Sequence, residues 1–334
     1  MIKTKITKNL SVKKGYTLVE LSIAILIISL LMAGVFSMLT GSINNSKATL
    51  TTQRVNQIYK SMGTYLMVNK RLPCPASILT SKIDNIAYGQ EVGTGAGCVG
   101  AGVYQSSTSG NLFFGGVPIK ALNLSSEYAE DGYGNKLNYF IDRRFTYNFV
   151  NPGSPTSDSF GTLSSVSNII TVQEKQANAT FSTLSTDVIF FLFSGGFNGF
   201  GSFSTDNATQ NALATDDAKF SEDIENQVTN FNNAVSPPTA SFNNVFITNS
   251  YVSDEFDDVS LYKTRIDFVN DFSASNLIYC SGSAITDADF PQKNLYYGQY
   301  LYASSACVAP NQSLVKIIRC GFDGFWQYVL ANCP

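Results

Sequence analysis

The hydrophobic pattern changes abruptly after residue 15. A polar leader gives way to an apolar run over residues 16–40, in which Glu20 is the one charged side chain. As a helix, a run of about 25 residues is long enough to cross roughly 30 Å of hydrocarbon. A carboxylate at the edge of such a span is costly and is rarely retained without a partner. The pattern therefore predicts a transmembrane helix in which one acid has a role.

The pattern beyond residue 40 is amphipathic. Apolar residues recur at helical spacing, separated by polar ones, at Ile43, Leu50, Val55, Ile58, Met62, Tyr65 and Leu66. Pro73 cannot continue a helix, so the pattern should end near Asn69. We therefore predict one continuous helix of about 55 residues, with an apolar first half over 16–40 and an amphipathic second half over 41–70.

The remainder of the chain is typical of a β-rich protein. Short apolar or alternating runs predict strands at 137–141, 145–150, 167–173, 187–193, 244–249 and 260–269. Residues 188–193 are apolar at every position, which favours the centre of a sheet. Residues 201–240 are rich in Ser, Thr, Asn and Asp, and we expect them to form a long surface insertion.

A glycine-rich stretch follows Cys74. Gly95, Gly97 and Gly100 match the G-x-G-x-x-G pattern of dinucleotide sites, but no strand precedes them and no helix clearly follows. A glycine-rich turn held by a Cys74–Cys98 bridge is the better interpretation.

The amino-acid composition excludes several classes of function. The 334 residues include 22 basic and 25 acidic side chains and no histidine. The absence of histidine excludes Ser-His-Asp and Cys-His catalysis and His-ligated zinc. No motif indicates paired catalytic carboxylates, so we expect no enzyme, no cofactor and no metal. Phosphate binding needs a basic patch, so no nucleic-acid partner is expected of an acidic domain.

Charge and cysteines indicate the topology. Five lysines precede the apolar run, which predicts a cytoplasmic leader and places the rest of the chain on the far side of the inner membrane, in the periplasm of a Gram-negative cell. All six cysteines lie beyond the run, in keeping with an oxidising compartment; they are Cys74, Cys98, Cys280, Cys307, Cys320 and Cys333. Three disulfides are expected, although their pairing is not determined by the sequence.

The stretch KKGYTLVELSIAILIISLL, from Lys13 to Leu31, resembles the N-terminal signature of the type IV pilin and type II secretion pseudopilin superfamily. The resemblance implies that a prepilin peptidase cuts after Gly15 and methylates the new N-terminus at Tyr16. It also implies that Glu20 serves assembly, because the positive N-terminus of a neighbouring subunit can neutralise a buried carboxylate. Tyr at position 16 and the lack of a helix-kinking proline are small departures.

Two later segments extend this resemblance, Leu72–Ala76 and Asp131–Asn135. Some pseudopilins bind calcium, which draws attention to Asp131, but no clustered acids surround it. We interpret the second segment as a turn capped by Asp131 and Asn135, with Gly132 and Gly134 at positive φ and Tyr133 packed on the sheet. The acidic run 253–258 is likewise interpreted as a solvated turn rather than a calcium site.

Four cysteines fall in the last 60 or so residues, which favours a small disulfide-held unit. The tail faintly resembles the end of a sushi-type module, which implies pairing of the first with the third cysteine and the second with the fourth. Neighbour pairing, Cys280–Cys307 and Cys320–Cys333, is the alternative. The aromatic residues there form either a core, which is favoured, or a binding face for an unknown ligand; they are Tyr296, Tyr297, Tyr300, Tyr302, Phe322, Phe325 and Trp326.

Together these features predict an α+β, pilin-like fold, in which the long helix packs on an antiparallel sheet. The expected parts are a leader (1–15), a membrane or filament-core helix (16–40), its amphipathic continuation (41–70), a globular domain (71–275) and a Cys-rich unit (276–334). The expected function is that of a minor pilin or pseudopilin in a type IV pilus or type II secretion filament, with prepilin peptidase, other pilin subunits and the inner membrane as partners. The alternative is a membrane-anchored periplasmic enzyme, adhesin or ligand-binding protein that does not enter a filament.

Overall fold

The fold comes from a computed structural model that describes residues 15–83, 86–93, 98–146, 170–176, 180–206, 209–215, 226–248, 257–272, 279–280, 282, 285, 290, 292–296, 299–302, 315–321 and 326–331. Side chains at 33–40 and at several C-terminal strand positions are outside this description. The chain divides into two compact units, with the boundary between Ser46 and Lys47.

The first element is a helix, α1, which runs from Leu18 to Asn69 over 52 residues. Its end is set by Lys70, which adopts a left-handed conformation (φ 56°) while its N–H still donates to the Leu66 carbonyl at 2.8 Å. The prediction of one continuous helix ending near Asn69 is confirmed. Two of the seven apolar positions predicted for its inner face are nevertheless exposed, Ile43 at 53% and Leu50 at 39%.

Hydrogen bonds and a disulfide fix the position of the chain directly after α1. Glu91 accepts hydrogen bonds from the Arg71 guanidinium (3.1 Å to Oε2), from the Tyr65 hydroxyl (3.1 Å) and from the Cys74 N–H (2.7 Å). Arg71 and Glu91 are both largely buried, so each ion compensates the desolvation of the other. The Cys74–Cys98 disulfide adjoins this cluster and confirms the predicted bridge.

In the part of the chain that the structure describes, nine strands form one sheet. They are β1 Tyr104–Ser106, β2 Leu112–Gly116, β3 Asn138–Asp142, β4 Ile170–Lys175, β5 Phe181–Ser194, β6 Thr229–Asn232, β7 Thr239–Ser241, β8 Val245–Thr248 and β9 Val259–Thr264. Their order is β6-β7-β1-β2-β3-β5-β4-β8, and β9 pairs with β5.

The sheet is mixed, so the prediction of an antiparallel sheet is wrong in part. The pairs β1–β7 and β4–β8 are parallel, whereas the other ladders are antiparallel. Both parallel pairs join strands that are far apart in sequence. No short hairpin constrains their direction, and the hydrophobic pattern carries no signal for it.

The centre of the sheet is the second half of β5. Residues 188–193 are fully or almost fully buried, as their uniform apolarity predicted. Neighbouring side chains on a strand face opposite sides. Phe190 accordingly packs at 6.2 Å from Tyr59 of α1 and at 5.6 Å from Phe268, whereas Phe191 stacks on Phe246 at 4.6 Å.

The segment 201–240 is more than the predicted surface insertion. Its described residues supply β6, the first two residues of β7 and the buried side chains of Phe203 and Val228. Phe203 lies 6.1 Å from Phe114 of the sheet. This segment therefore helps to cover the face of the sheet that α1 does not, which is why 188–193 is apolar on both sides.

Two predicted strands are wrong in part. Residues 143–146 form a 3₁₀ turn, so the strand predicted at 145–150 does not begin at Phe145, and 147–150 lie outside the described residues. The strand predicted at 260–269 ends at Thr264, where a second helix, α2 Arg265–Asp271, begins with a capping box between Thr264 and Asp267.

Five further strands lie among the described C-terminal residues, β10 Tyr279–Cys280, β11 Leu295–Tyr296, β12 Tyr300–Tyr302, β13 Val315–Cys320 and β14 Trp326–Ala331. β10 pairs with β11, and β12, β13 and β14 form an antiparallel sheet of their own. A second hydrophobic cluster lies here, separate from the main core, and includes Ile285, Phe290, Leu301 and Ile318.

Candidate functional site

The bond predicted to be cleaved lies in exposed, non-helical backbone. Gly15, Tyr16 and Thr17 directly precede α1. Tyr16 is 88% exposed, and among the described residues no atom other than those of its chain neighbours lies within 4 Å of the position that a Cβ would occupy at Gly15. Exposed segments outside regular structure are the places where proteases act most readily. The Gly15–Tyr16 bond is thus accessible in this conformation.

Glu20 has an intramolecular partner that the sequence reasoning missed. Its Oε2 accepts hydrogen bonds from the Thr17 N–H at 2.9 Å and from the Thr17 hydroxyl at 3.0 Å, while the Glu20 N–H donates to Thr17 Oγ1 at 3.2 Å. This is a capping box, and its sequence signature, Thr-x-x-Glu, was present in Thr17-Leu-Val-Glu20. Among the described residues, Oε1 of Glu20 accepts no hydrogen bond.

The first turns of α1 expose an extended apolar surface. The large apolar side chains that are at least half exposed include Leu18, Val19, Leu21, Ile23, Ile25, Leu26, Ile28, Leu30, Leu31 and Met32. The polar side chains among them are satisfied within the helix, because Ser22 donates to the Val19 carbonyl and Ser29 to the Ile25 carbonyl. A surface of this kind needs an apolar environment or a partner.

Within the described residues, no helix combines the length and the apolarity that crossing a membrane requires. The span at 16–40 stays a prediction.

The second unit includes α1 from Lys47 onwards. A turn at residues 130–133 binds the first residues of this part of the helix. The Arg54 guanidinium donates to the carbonyls of Glu130 (3.1 Å) and Asp131 (2.9 Å). Thr51 accepts the N–H of Gly132 at 2.8 Å. We call this arrangement the α1 clasp.

Close approach, rather than backbone conformation, explains Gly132. A Cβ at this position would collide with the carbonyl of Lys47, so only glycine lets the turn reach the helix. Gly134 does have the predicted positive φ, at 94°. Tyr133 contacts α1, with the Lys47 ammonium 5.5 Å from its ring centroid. Its packing on the sheet stays a prediction.

The Asp131 carboxylate organises the turn, as predicted. It is almost completely buried, and its Oδ1 accepts the N–H groups of Tyr133 (2.8 Å) and Asn135 (2.9 Å). The Ser194 hydroxyl donates to Oδ2 at 2.7 Å. Burial raises the pKa of Asp131, and the hydrogen bonds from Ser194, Asn135 and Tyr133 oppose that rise.

The end of the acidic run 253–258 is buried, so the interpretation as a solvated turn is wrong for Asp257 and Asp258; residues 253–256 lie outside the described residues. Asp257 accepts the N–H and the side-chain amide of Asn198, each at 2.8 Å. Gly196, at φ 54°, lies against Asp257 where a Cβ would collide. Gly196 belongs to the turn at 194–201, which consists largely of glycine and aromatic residues. This turn and the Asp257 carboxylate stabilise each other.

The disulfides settle one alternative. Cys280 pairs with Cys320, which is a pairing of the first with the third C-terminal cysteine, so the neighbour pairing Cys280–Cys307 is wrong. Cys307 and Cys333 lie outside the described residues. Trp326 packs against the second cluster, in agreement with a core role, whereas Tyr300 is 47% exposed. Side-chain positions of the remaining aromatic residues considered there are not described.

No group of three potential metal-ligating side chains occurs within the described residues. Of the G-x-G-x-x-G pattern, Gly95 and Gly97 lie outside them, and Gly100 follows the bridged Cys98 in a loop rather than opening a helix.

Comparison with known proteins gives one match. Residues 10–36 match the family described as the prokaryotic N-terminal methylation motif, which is the leader signature of type IV pilins and pseudopilins. No curated protein matches the chain, and no solved structure matches it. The matched residues contain the exposed Gly15–Tyr16 bond, the Thr17–Glu20 capping box and the exposed apolar turns of α1.

Proposed function

We propose that this chain is a subunit of a type IV pilin-like or pseudopilin filament, cut after Gly15, N-methylated at Tyr16 and held in the inner membrane by residues 16–40 until it is assembled. The observation that carries the proposal is the coincidence of the methylation motif with an exposed Gly15–Tyr16 bond, at the start of a helix in which Glu20 is the one charged residue before Lys47. The remainder of the chain would form the periplasmic or surface-displayed part. Its size and its disulfides favour a minor subunit over a major one.

Glu20 has a defined place in this proposal. The capping box uses only Oε2, so Oε1 remains available to the ammonium group of a neighbouring subunit. Such a pair would neutralise a carboxylate that would otherwise be stranded among apolar helices, and in that medium the attraction is strong. Thr17 would keep the carboxylate oriented before the neighbour arrives.

Processing is tested by intact mass and N-terminal peptide mapping of the protein from its native membrane. We expect an N-terminus at methylated Tyr16, and a Gly15→Leu variant should retain the leader. The described residues leave the Cβ position of Gly15 uncrowded, so loss of cleavage in that variant would report on the peptidase rather than on folding. A native protein that starts at Met1 would contradict the proposal.

Assembly is tested by separating charge from capping at the helix start. Glu20→Gln retains an oxygen acceptor for Thr17 but removes the charge, whereas Thr17→Val removes the hydroxyl and leaves the charge. We expect Glu20→Gln to enter the membrane normally but to be depleted at least about tenfold from sheared filaments, as losing about 1.4 kcal/mol per contact would give. Thr17→Val should be less affected, since a lost cap costs about 1 kcal/mol. Normal incorporation of Glu20→Gln would refute the assigned role.

A further inference from the structure

Two turns of the second unit lie side by side, at residues 131–135 and 194–201. The Ser194 hydroxyl donates to Asp131 Oδ2 at 2.7 Å. The side-chain amide of Asn211 donates to one oxygen in each turn, at 3.0 and 3.1 Å. The first turn also belongs to the α1 clasp, so the pair of turns is fixed to the first residues of α1 in this unit.

Each turn presents an aromatic side chain. Phe197 is 47% exposed, and its turn is held by the Asp257 carboxylate, which accepts the N–H of Asn198 at 2.8 Å. Tyr133 is half-buried, with the Lys47 ammonium 5.5 Å from its ring centroid. Burial, and then the charge of Asp257, raise the pKa of Tyr133, so this carboxylate lies close to both aromatic residues. We call Lys47, Tyr133 and Phe197 the aromatic edge.

Among the described residues that hold the aromatic edge in place, the acidic side chains are buried and the lysine is not. Asp131 and Asp257 are 2% and 1% exposed, whereas Lys47 is partly exposed. Aromatic rings flanked by a lysine are the side-chain chemistry of membrane–water interfaces, where the rings lie among lipid headgroups and the ammonium extends to the polar layer. The aromatic edge therefore has the composition of a surface that binds phospholipid headgroups.

The position of Lys47 in the sequence fits such an interface. It is the first charged residue after Glu20, and α1 continues through it. The proposed span ends at residue 40, which is about 10 Å of helix before Lys47 at 1.5 Å per residue. The headgroup layer adds about 5–8 Å to each side of the hydrocarbon. Because the stem of a lysine is long and flexible, the Lys47 ammonium can reach lipid phosphate from there.

We propose that the aromatic edge binds the phospholipid headgroup layer on the periplasmic face of the inner membrane, with the rings of Phe197 and Tyr133 among the headgroups and Lys47 on phosphate. The contact holds the globular part in one orientation on the membrane until the subunit is assembled. The inference rests on the proposed function and deepens it, because it names the surface that the globular part binds while residues 16–40 are in the membrane.

The first test replaces Phe197 of the full chain with photo-crosslinking benzoylphenylalanine, in cells whose phospholipids carry radioactive phosphate. Phe181 is the matched control, because it is also an exposed phenylalanine, at 42%, but lies at the start of β5, whereas Phe197 follows its end. We expect lipid label at position 197 and at least about tenfold less at position 181, the ratio that a preference of about 1.4 kcal/mol gives. Equal labelling at both positions, or crosslinking of position 197 to protein without lipid, would overturn the proposal.

The second test follows the reaction of Lys47 with a water-soluble acylating reagent, with the full chain in vesicles of phosphatidylethanolamine and phosphatidylglycerol. Lys60, which is exposed on α1, is the internal reference. Headgroups at the aromatic edge should protect Lys47, so Phe197→Ser should raise its rate relative to Lys60 at least about threefold, whereas Phe181→Ser should leave it unchanged. In detergent, which offers no phospholipid headgroups, wild type and Phe197→Ser should react alike. An unchanged rate in Phe197→Ser vesicles, or a difference that persists in detergent, would contradict the contact.

The inference and the proposed function fail separately. If the chain from native cells is unprocessed or absent from the membrane fraction, the proposed function fails and the inference fails with it. If the chain is processed and membrane-bound but position 197 acquires no lipid, only the contact of the aromatic edge is refuted.

Discussion

Single residues in this protein act mainly through hydrogen bonds that the backbone would otherwise lack. The Asp131 carboxylate accepts hydrogen bonds from backbone N–H groups of its turn. The side chains of Thr17 and Glu20 accept hydrogen bonds from backbone N–H groups at the start of α1 in the same way. The Thr-x-x-Glu signature could have been read from the sequence, but Glu20 attracted attention as a charge in an apolar run. The role of Asp131 as a turn acceptor was predictable, whereas the contact of Gly132 with Lys47 was not, because it depends on where a distant helix lies.

Asp131 should make stability depend on pH. Its pKa is raised by burial above the ordinary value of 3.8, so the folded state holds the proton more tightly than the unfolded state. Stability should therefore fall as pH rises from about 4 through the folded pKa. Asp131→Asn keeps an oxygen for Tyr133 and Asn135 and can donate to Ser194, but it cannot ionise.

The measurement is the difference in thermal midpoint between wild type and Asp131→Asn at several pH values. We expect this difference to shift against wild type as pH rises, and Asp131→Ala to be destabilised throughout by about 1–3 kcal/mol because it leaves buried donors unpaired. A constant difference between wild type and Asp131→Asn would show that the carboxyl titrates alike in both states.

At the scale of elements, α1 and β5 were predicted well because their patterns are long and uniform. The strand predicted at 260–269 was half wrong, because apolar alternation continued into α2 while the Thr264-Arg-Ile-Asp267 capping box turned the chain. Capping signals of this kind occupy four residues and are easily outweighed by a longer hydrophobic pattern. The position of α2 matters for packing against α1. The ring centroids of Phe268, in α2, and of Phe272, the residue after α2, lie 5.2 and 5.0 Å from the ring centroid of Tyr59.

Gly63 sets the distance between α1 and the residues that follow α2. A Cβ at Gly63 would collide with the Phe272 ring, whereas a Cβ at Gly41 would meet no described atom within 4 Å apart from the adjacent residues and backbone of its own helix. We expect Gly41→Ala to be neutral or to stabilise by up to about 1 kcal/mol through helix propensity. Gly63→Ala should be destabilised by about 1–3 kcal/mol relative to that control, since the ring must move.

A double-mutant cycle in chemical denaturation checks the cause. With Phe272→Ala in the background, Gly63→Ala should lose its cost and behave like Gly41→Ala. If the cost of Gly63→Ala persisted without the ring, the collision would not be its origin.

At the scale of the whole molecule, the sequence indicated an α+β protein with a Cys-rich end but could not give the strand order. Parallel pairing of β1 with β7 and of β4 with β8 depends on contacts between segments far apart in the chain, which local patterns do not encode. The second hydrophobic cluster around Cys280–Cys320 agrees with a small C-terminal unit that needs a disulfide because its core is limited.

The pairing of the last two cysteines follows from the two bridges found. With Cys74–Cys98 and Cys280–Cys320 formed, we expect Cys307 to pair with Cys333 in the oxidised protein. Non-reducing peptide mapping of protein from native membranes should find this third linkage, and a Cys307→Ser variant should expose one free thiol, at Cys333. Detection of Cys280–Cys307 or Cys320–Cys333 peptides would contradict the structure directly.

The anchoring of α1 in the second unit has a mechanical consequence. The α1 clasp grips the helix at Thr51 and Arg54, and the Glu91 cluster with the Cys74–Cys98 bond fixes the chain just past its end. A pull on the amino-terminal side of this helix would load the clasp first, and would reach the covalent bond only after the clasp and the aromatic packing behind it had yielded in turn. The helix is thus a tether with a weaker fastening near the source of tension and a stronger one at its far end.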